Sequence, residues 1–286
     1  MTPIFKKMAL ALSAFALVAT TGMAYAAGGK SDYKMKHPHW HFDGPRGTFD
    51  RAAVQRGYQV YREVCAACHA LEHVSFRHLG DKGGPYYSKD FKNPSDNPYV
   101  KAFAADWTIE DIDSDTGDVI ERPAVPADKF PAVFPNDAAA RASNGGALPP
   151  DLSLIVAARG GGADYLYNLL TAYGLEAPKD LKLTAGLHYN PVMEGSAIAM
   201  APPLVEGLIE YAPVEALDDD GNAITIPAPA ASVDQMAKDV TEFLAWTSDP
   251  KMEARKSLGF GVMIYLLIFS ILLYFCYKTV WRNVDH

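Results

Sequence analysis

The stretch that decides the fold reads Cys65-Ala66-Ala67-Cys68-His69. Two cysteines three positions apart, followed directly by histidine, form the pattern to which c-type haem is covalently attached. On a helix, positions i, i+3 and i+4 share one face. Cys65 and Cys68 can therefore each form a thioether with a haem vinyl group, while His69 reaches the iron from the same side.

Two other interpretations of this motif exist, a thioredoxin-like redox pair and half of a zinc site. The first lacks a strand-turn-helix setting, and the second lacks another Cys/His pair at usable spacing. The third cysteine, Cys276, lies in an apolar run near the end of the chain. Once the motif carries haem, no intrachain disulfide is possible, so packing and the haem must hold the fold.

The beginning of the sequence predicts a secretory leader. Lys6 and Lys7 precede an apolar segment from Met8 to Thr20, and Ala24-Tyr25-Ala26 is a small-x-small cleavage site. We therefore predict a cleaved signal peptide at 1–26. Export agrees with the motif, because covalent haem attachment in bacteria is expected on the exported side of the membrane.

A second apolar run, Gly259 to Tyr277, predicts a membrane-spanning helix about 28 Å long. With an exported start, the predicted order is a periplasmic haem domain at 27–254, a transmembrane anchor at 255–279 and a cytoplasmic tail at 280–286. The expected location is the bacterial inner membrane, crossed once.

The chain is acidic, with a formal net charge of −8 at pH 7. Removing a leader with two lysines leaves 24 basic against 34 acidic residues, a charge of −10. Such a surface does not suit nucleic acid but suits a basic soluble partner, mainly through electrostatic steering. Acids cluster between Asp106 and Glu121, and again at Glu215 and Asp218 to Asp220. Each cluster is either a docking patch or a solvated loop.

Two segments show helical periodicity. In the first, Asp50 to Cys68, a stripe of small and apolar residues includes Gly57, which we expect to mark the close approach of another helix backbone. The partner is predicted to be Val233 to Thr247, which begins with a capping box of Ser232 and Gln235. Crossing of these helices predicts a mainly α, class I cytochrome c-like haem domain with large irregular insertions, plus one C-terminal transmembrane helix.

The region between these helices carries fewer signals. His73 to Asn144 is predicted to be mostly irregular, and two helical pieces, Asp151 to Ala157 and Asp164 to Tyr173, are separated by glycines. Three alternating histidines near the beginning of this domain could indicate a metal site, but surface-packed histidines are the expected outcome: His37, His39 and His41.

The second axial ligand decides what the haem can do, because an open position would permit gas binding or catalysis. Elimination of the methionines in the leader, the membrane region and the predicted helix stripe, and of Met35, which precedes the fold, leaves Met193 and Met200. The prolines of Met200-Ala201-Pro202-Pro203 hold the backbone extended, which favours Met200. Met193 remains an alternative, as does ligation by His188.

Several stretches together resemble the cytochrome c1 family of the ubiquinol–cytochrome c reductase (cytochrome bc1) complex, in its bacterial form. They are Arg56-Gly57-Tyr58-Gln59-Val60-Tyr61, Arg77-His78-Leu79, Asn144-Gly145-Gly146-Ala147-Leu148-Pro149-Pro150-Asp151-Leu152-Ser153, Gly161-Gly162-Ala163-Asp164-Tyr165, Ala199-Met200-Ala201-Pro202-Pro203 and Lys238-Asp239-Val240-Thr241-Glu242-Phe243-Leu244. The similarity covers nearly the whole chain after the leader. Ser88 to Phe103 has no obvious counterpart in the mitochondrial pattern.

The resemblance implies one covalently bound haem c with Met200 as the sixth iron ligand. It also implies Arg159 as the partner of a haem propionate, with Asn144, Pro150 and Tyr165 lining the crevice. The implied partners are a cytochrome b and a Rieske iron–sulfur subunit within a dimeric complex, and a soluble basic c-type cytochrome. No quinone site is expected on this chain.

The function expected from these features is transfer of single electrons from the Rieske protein to the soluble cytochrome, as the electron-transfer subunit of the reductase. Three alternatives stand beside it. They are the membrane-anchored cytochrome c of a terminal oxidase, a haem catalyst or gas-binding protein with an open axial site, and a structural domain with a zinc site.

Overall fold

A computed structural model describes residues 33–217 and 223–283. The predicted signal peptide lies outside the described residues, as do Asp218 to Asp220 and the last three residues of the predicted tail. The described helices are α1 Arg51–Glu63, α2 Pro98–Ala105, α3 Asp137–Ser143, α4 Ile155–Ala158, α5 Gly162–Thr171, α6 Val233–Ser248 and α7 Met252–Val280. The mainly α prediction is confirmed.

The described strands form three small antiparallel pairs: β1 Thr108–Ile112 with β2 Val119–Pro123, β3 His188–Tyr189 with β4 Ala197–Ile198, and β5 Val214–Leu217 with β6 Ala223–Ile226. Short 3₁₀ turns lie at Cys65–Ala67, Phe76–Gly80, Pro94–Asp96 and Glu194–Ser196. The core lies instead between helices, where α1, α4 and α5 all pack on α6.

The crossing of α1 and α6 occurs at Gly57, as predicted. A Cβ atom built on Gly57 would lie 2.0 Å from the carbonyl oxygen of Asp239 and 2.7 Å from the Cβ of Phe243. Tyr58 and Tyr61 pack their rings against Phe243, each with centroids 5.7 Å apart. The missing side chain thus lets the two backbones touch, and aromatic rings fill the space on both sides.

A buried ion pair lies beside this crossing. Arg56 donates to both carboxylate oxygens of Asp239, Nε to Oδ2 at 2.9 Å and Nη2 to Oδ1 at 2.8 Å. The predicted capping box is only half right, because Ser232 accepts from the Gln235 backbone N–H but the Gln235 side chain turns to Asp239 instead. The Ser232 backbone N–H, whose partner in a capping box would be the Gln235 side-chain oxygen, donates instead to Ala230 O at 2.8 Å.

Glu242 is a second buried acid on α6, 3% exposed, whose Oε1 accepts the backbone N–H of Asp50 at 3.1 Å. Burial, together with the carboxylates of Asp50, Asp239 and Asp43, raises the pKa of Glu242 to about 7, although the hydrogen bond from Asp50 opposes the rise. Between pH 4.5 and 7 the folded protein therefore binds a proton that the unfolded chain has released.

Raising the pH through this window should lower the free energy of unfolding, by at most roughly 3 kcal/mol from this group. Glu242→Gln keeps an oxygen acceptor for Asp50 and cannot ionise, so it should remove this part of the pH dependence. Denaturant unfolding of both proteins from pH 5 to 8 measures the difference. Equal slopes in the two proteins would contradict a buried, protonatable Glu242.

The insertion predicted to be mostly irregular, His73 to Asn144, contains more structure than expected. Asn97 caps α2 by accepting the backbone N–H of Tyr99 at 3.0 Å, and the acidic segment forms the β1–β2 hairpin. The hairpin was missed because its strands are largely exposed, so the apolar alternation that marks a half-buried strand is weak. Arg122 stabilises its base by pairing with Asp111 and Asp128.

Helix α7 has 29 residues and is long and apolar enough to cross a membrane. Its side chains from Ser257 onward lie on the surface of the chain, including large ones such as Leu258 and Phe260. The helix begins three residues before the predicted anchor and ends one residue after it. This single long apolar helix fits a membrane anchor.

Candidate haem site

The periodicity up to Cys68 predicted that the haem-attachment motif would continue the α-helix, and this prediction is wrong. Helix α1 ends at Glu63, and Cys65–Ala67 forms a tighter 3₁₀ turn. The carbonyl oxygen of Cys65 accepts both the Cys68 N–H at 3.1 Å and the His69 N–H at 2.9 Å. One carbonyl therefore fixes the spacing of all three functional residues.

The imidazole of His69 is oriented by a segment that lies eighty residues away. Its Nδ1 lies 2.8 Å from the carbonyl oxygen of Pro150, an acceptor to which this nitrogen donates. The donation requires the proton on Nδ1 and leaves the lone pair of Nε2 available for a metal. Burial lowers the pKa of His69, which favours the neutral ring needed for ligation.

Three further hydrogen bonds join the chain after the motif to the segment after Pro150. Leu152 N–H donates to Ala70 O at 2.9 Å, Glu72 N–H to Asp151 Oδ2 at 2.8 Å, and His73 N–H to Ser153 Oγ at 3.1 Å. Nothing in the sequence revealed these pairings, because each joins residues about eighty positions apart. Together they hold the histidine in one orientation.

Both thiols of the motif are free, with Cys65 partly buried and Cys68 exposed. Burial, and to a lesser extent the neighbouring Cys68, raises the pKa of the Cys65 thiol to about 12. Thiol–disulfide enzymes lower the pKa of their reactive cysteine, so this environment disfavours the thioredoxin-like alternative.

Within residues 33–217 and 223–283, no group of three or more His, Cys, Asp or Glu side chains could hold a metal ion. His37 instead contacts Asp164 on α5, with 2.6 Å between Nδ1 and Oδ2. Trp40 Nε1 donates to the other oxygen of Asp164 at 2.7 Å, and the Lys36 backbone N–H and the Tyr33 hydroxyl donate to Asn168. Residues 33–40 thus form a strap along α5 that is held by Asp164 and Asn168. Sequence reasoning gave neither of these two residues this role.

The structure brings three candidate residues together near the beginning of α5. The Tyr165 hydroxyl donates to the Met193 sulfur at 3.7 Å. Burial raises the pKa of that hydroxyl, and the positive charge of the nearby Arg159 partly offsets the rise. Arg159 itself is exposed at the end of α4. The Met193 sulfur therefore lies against Tyr165 near the beginning of α5.

Met200 follows directly after the small β3–β4 hairpin, in which His188 lies opposite Ile198. Its backbone is fixed by the Tyr173 hydroxyl, which donates to the Met200 carbonyl at 3.0 Å. That bond leaves the sulfur uninvolved, and the side chain is partly buried against the core. Met200 and His188 thus belong to the same local structure.

Asn144 and Pro150 belong to the segment that begins where α3 ends. Asn144 ends α3, and its side-chain amide donates to Ala140 O at 2.7 Å. A cavity of about 280 Å³ opens beside Cys68. Its walls include Ala140, Leu148 and Pro149, so it separates the motif from the α3 end.

These residues fit a covalently held haem. The motif offers two free thiols and a neutral imidazole with one nitrogen free for iron, and a methionine stands on a fixed backbone elsewhere in the fold. Three segments that carry candidate residues also expose large apolar side chains that a porphyrin would cover: Leu148, Leu154 and Val205 are 37%, 47% and 53% exposed.

A family model described as "Cytochrome C1 family" matches residues 40–284. The chain belongs to the cytochrome c1 family. It is 36% identical over 303 residues to the cytochrome c1 of Rhodospirillum rubrum, with all of both chains covered. It is 39% identical over 253 residues to the Candida albicans protein named cytochrome b-c1 complex catalytic subunit, covering 87% of this chain and 79% of that one.

A further relative is the cytochrome b/c1 of Bradyrhizobium diazoefficiens, 44% identical over 262 residues. The match covers 85% of this chain but only 35% of that longer protein. Membership in the cytochrome c1 family implies a haem c cofactor. The region matched by the family model includes the motif, the Pro150 segment, α5 and Met200.

Proposed function

We propose that the chain is the electron-transfer subunit of a cytochrome bc1 complex, passing single electrons from a Rieske iron–sulfur protein to a soluble c-type cytochrome. The observation that carries this proposal is the bond from His69 Nδ1 to the Pro150 carbonyl, which leaves Nε2 free to bind an iron. The haem supplies one-electron reduction and oxidation at its iron.

The protein's part is to hold the iron from both sides. Cys65 and Cys68 would supply the covalent tethers, and His69 and Met200 would bind the iron. With both of these residues bound, the iron would offer no vacant position, which would oppose catalysis and gas binding and suit electron transfer. Tyr173 supports this arrangement, because it fixes the backbone from which the Met200 side chain extends.

Arg159 is proposed to pair with a haem propionate. A carboxylate held away from water needs a charge-assisted hydrogen bond, and the exposed guanidinium of Arg159 lies close enough to Tyr165 to influence its hydroxyl. Tyr165, Asn144 and Pro150 are proposed to line the crevice.

Helix α7 is proposed to anchor the domain beside cytochrome b, in a complex that is a dimer. We propose the boundaries predicted above: a signal peptide at 1–26, a periplasmic haem domain at 27–254, an anchor at 255–279 and a cytoplasmic tail at 280–286. The anchor then keeps the haem domain near its membrane partners on the outer face of the bacterial inner membrane.

The β1–β2 hairpin is proposed to steer the basic soluble cytochrome. Glu110 and Glu121 lie directly opposite each other across the two strands, and both are exposed. Like charges in such a pair destabilise a sheet. Asp111 on the same hairpin is paired with Arg122, whereas Glu110 and Glu121 face each other. Their negative charges therefore lower the stability of the hairpin, which favours a role in partner binding.

Replacing both residues, with Glu110→Gln and Glu121→Gln, should slow reduction of a basic cytochrome roughly twofold to fivefold at low salt and flatten its dependence on ionic strength. The hairpin itself should become more stable. Glu176→Gln, in the loop after α5, removes an exposed charge by the same type of substitution and serves as the control. Stopped-flow kinetics at several salt concentrations would reject steering by this pair if the double variant followed the wild-type curve.

The overall proposal is tested by purification in mild detergent, followed by subunit identification and a redox-titrated visible spectrum. We expect the chain to copurify with cytochrome b and a Rieske protein, with a haem c spectrum that carbon monoxide leaves unchanged. A chain that is stable without these partners would instead favour the anchored oxidase cytochrome, and a colourless protein would exclude every haem function.

A further inference from the structure

A loop of the extramembrane domain is fastened to the first turns of α7. The ammonium group of Lys256 donates to the carbonyl oxygen of Phe42 at 2.5 Å and to that of Gly47 at 3.3 Å. We call residues 42–47 the neck loop. Because both of its ends bind one side chain of the helix, the loop keeps a fixed position along α7.

A second set of bonds fixes the chain just after the neck loop. Glu253, one turn before Lys256, accepts the Phe49 backbone N–H at 3.0 Å and a guanidinium N–H of Arg51 at 3.0 Å. Arg51 also donates to Gly84 O at 2.6 Å. The beginning of the membrane helix is therefore tied to both α1 and the insertion.

The neck loop is also held internally. Thr48 N–H donates to His41 O at 3.0 Å and closes the loop. A Cβ atom on Gly47 would lie 2.1 Å from the Asp43 carbonyl oxygen, so only glycine fits there. The position of the loop relative to α7 is thus a property of the fold.

This geometry sets the depth of Arg46 at the membrane surface. Its guanidinium carbon lies 5.8 Å from the centre of the Phe260 ring, within the range of a cation–π contact. Phe260 is the second residue of the uncharged run from Gly259 to Tyr277, and such a run matches the hydrocarbon core. Arg46 therefore lies where the apolar core ends and phospholipid phosphates begin.

The charges around this position favour an anion. Arg46 has no carboxylate partner among residues 33–217 and 223–283, and Lys256 has used two of its three N–H donors on carbonyls. The nearby acids Glu253 and Asp249 are paired with Arg51 and Arg255, respectively. Asp43, which is exposed on the neck loop three residues before Arg46, carries an opposing charge.

We propose that Arg46 and Lys256 bind the phosphate of an anionic phospholipid in the outer leaflet, which makes the neck loop a lipid-headgroup site. The inference rests on the proposed anchor function of α7. A lipid fits better than a soluble anion because the guanidinium lies over a ring of the membrane helix, where an acyl chain can follow the apolar surface below.

The test is native mass spectrometry of the full haem-loaded chain purified in detergent and titrated with phosphatidylglycerol. Arg46→Gln should weaken binding of one lipid about fivefold, since a surface cation contributes to anionic-lipid binding at about that level. Lys92→Gln removes an exposed positive charge from the insertion and should change nothing. The visible spectrum of each variant shows whether the haem domain has folded.

Several outcomes would overturn the inference: equal affinity in Arg46→Gln and wild type, equal binding of phosphatidylcholine, or displacement of the lipid by glycerol phosphate. A spin label at Arg46→Cys in a Cys276→Ser background, placed in nanodiscs, adds an independent measurement, and it should report headgroup depth. A label that reports bulk water or the bilayer interior would contradict the proposed site. If the chain did not copurify with cytochrome b and a Rieske protein, only the proposed bc1 function would be contradicted. The lipid titration is independent of that result because it uses the single chain.

Discussion

Met200→Leu should lower the reduction potential of the haem by more than about 100 mV, because a thioether ligand raises the potential and axial ligation sets it over a wide range. The leucine side chain cannot bind iron, so the variant should also bind carbon monoxide in the reduced state. The oxidised protein should lose the weak sulfur-to-iron band at the red end of the visible spectrum. A redox-titrated spectrum measures all three.

Two matched variants separate the candidate ligands. Met193→Leu removes the sulfur that accepts from Tyr165 and should shift the potential only slightly, and His188→Leu should leave the carbon monoxide response unchanged. If Met193→Leu or His188→Leu opened the iron to carbon monoxide while Met200→Leu did not, the ligand would be assigned to the wrong residue.

Gly57→Ala should reduce the free energy of unfolding by at least about 3 kcal/mol, or prevent accumulation of the folded protein. The added Cβ would lie 2.0 Å from the Asp239 carbonyl oxygen and 2.6 Å from its carbon. Both are backbone atoms inside a buried helix, so the clash can be relieved only by moving α1 and α6 apart. Denaturant unfolding measures the loss, and the yield of haem-loaded protein reports the more severe outcome.

Gly160→Ala is the matched control, since a Cβ at Gly160 meets nothing within 4 Å and its backbone φ is not positive. That variant should unfold like the wild type. A Gly57→Ala protein as stable as Gly160→Ala would mean that the two helices can separate freely at their crossing.

The sequence predicted the features that depend on local spacing. The positions of Cys65, Cys68 and His69 define the motif, and the helical stripe around Gly57 identified α6 as its packing partner. Helix α7 was predicted from its length and lack of charge. In each case the pattern lies within about twenty residues. The face of a helix shows as a repeat every three to four residues, and about twenty apolar residues in a helix span a membrane.

Other features depend on residues far apart in the chain and could not be predicted. The bond from His69 to Pro150 and the strap bonds to Asp164 and Asn168 join segments between about 80 and 135 positions apart. Pairing of the Gln235 side chain with Asp239 instead of its helix cap depends on burial of that carboxylate, which only the packed structure shows. Periodicity alone contains no information about such partners.

The β1–β2 hairpin is closed at its base by a backbone hydrogen bond. Trp107 and Ala124, the residues just outside its strands, are joined by a hydrogen bond of 2.8 Å from the Ala124 N–H to the Trp107 carbonyl. Ala124 is buried, whereas the turn beyond the strands is exposed. Natural variation or engineering can therefore alter the length and charge of the turn without repacking the interior, so this surface can diverge between relatives while the core stays the same.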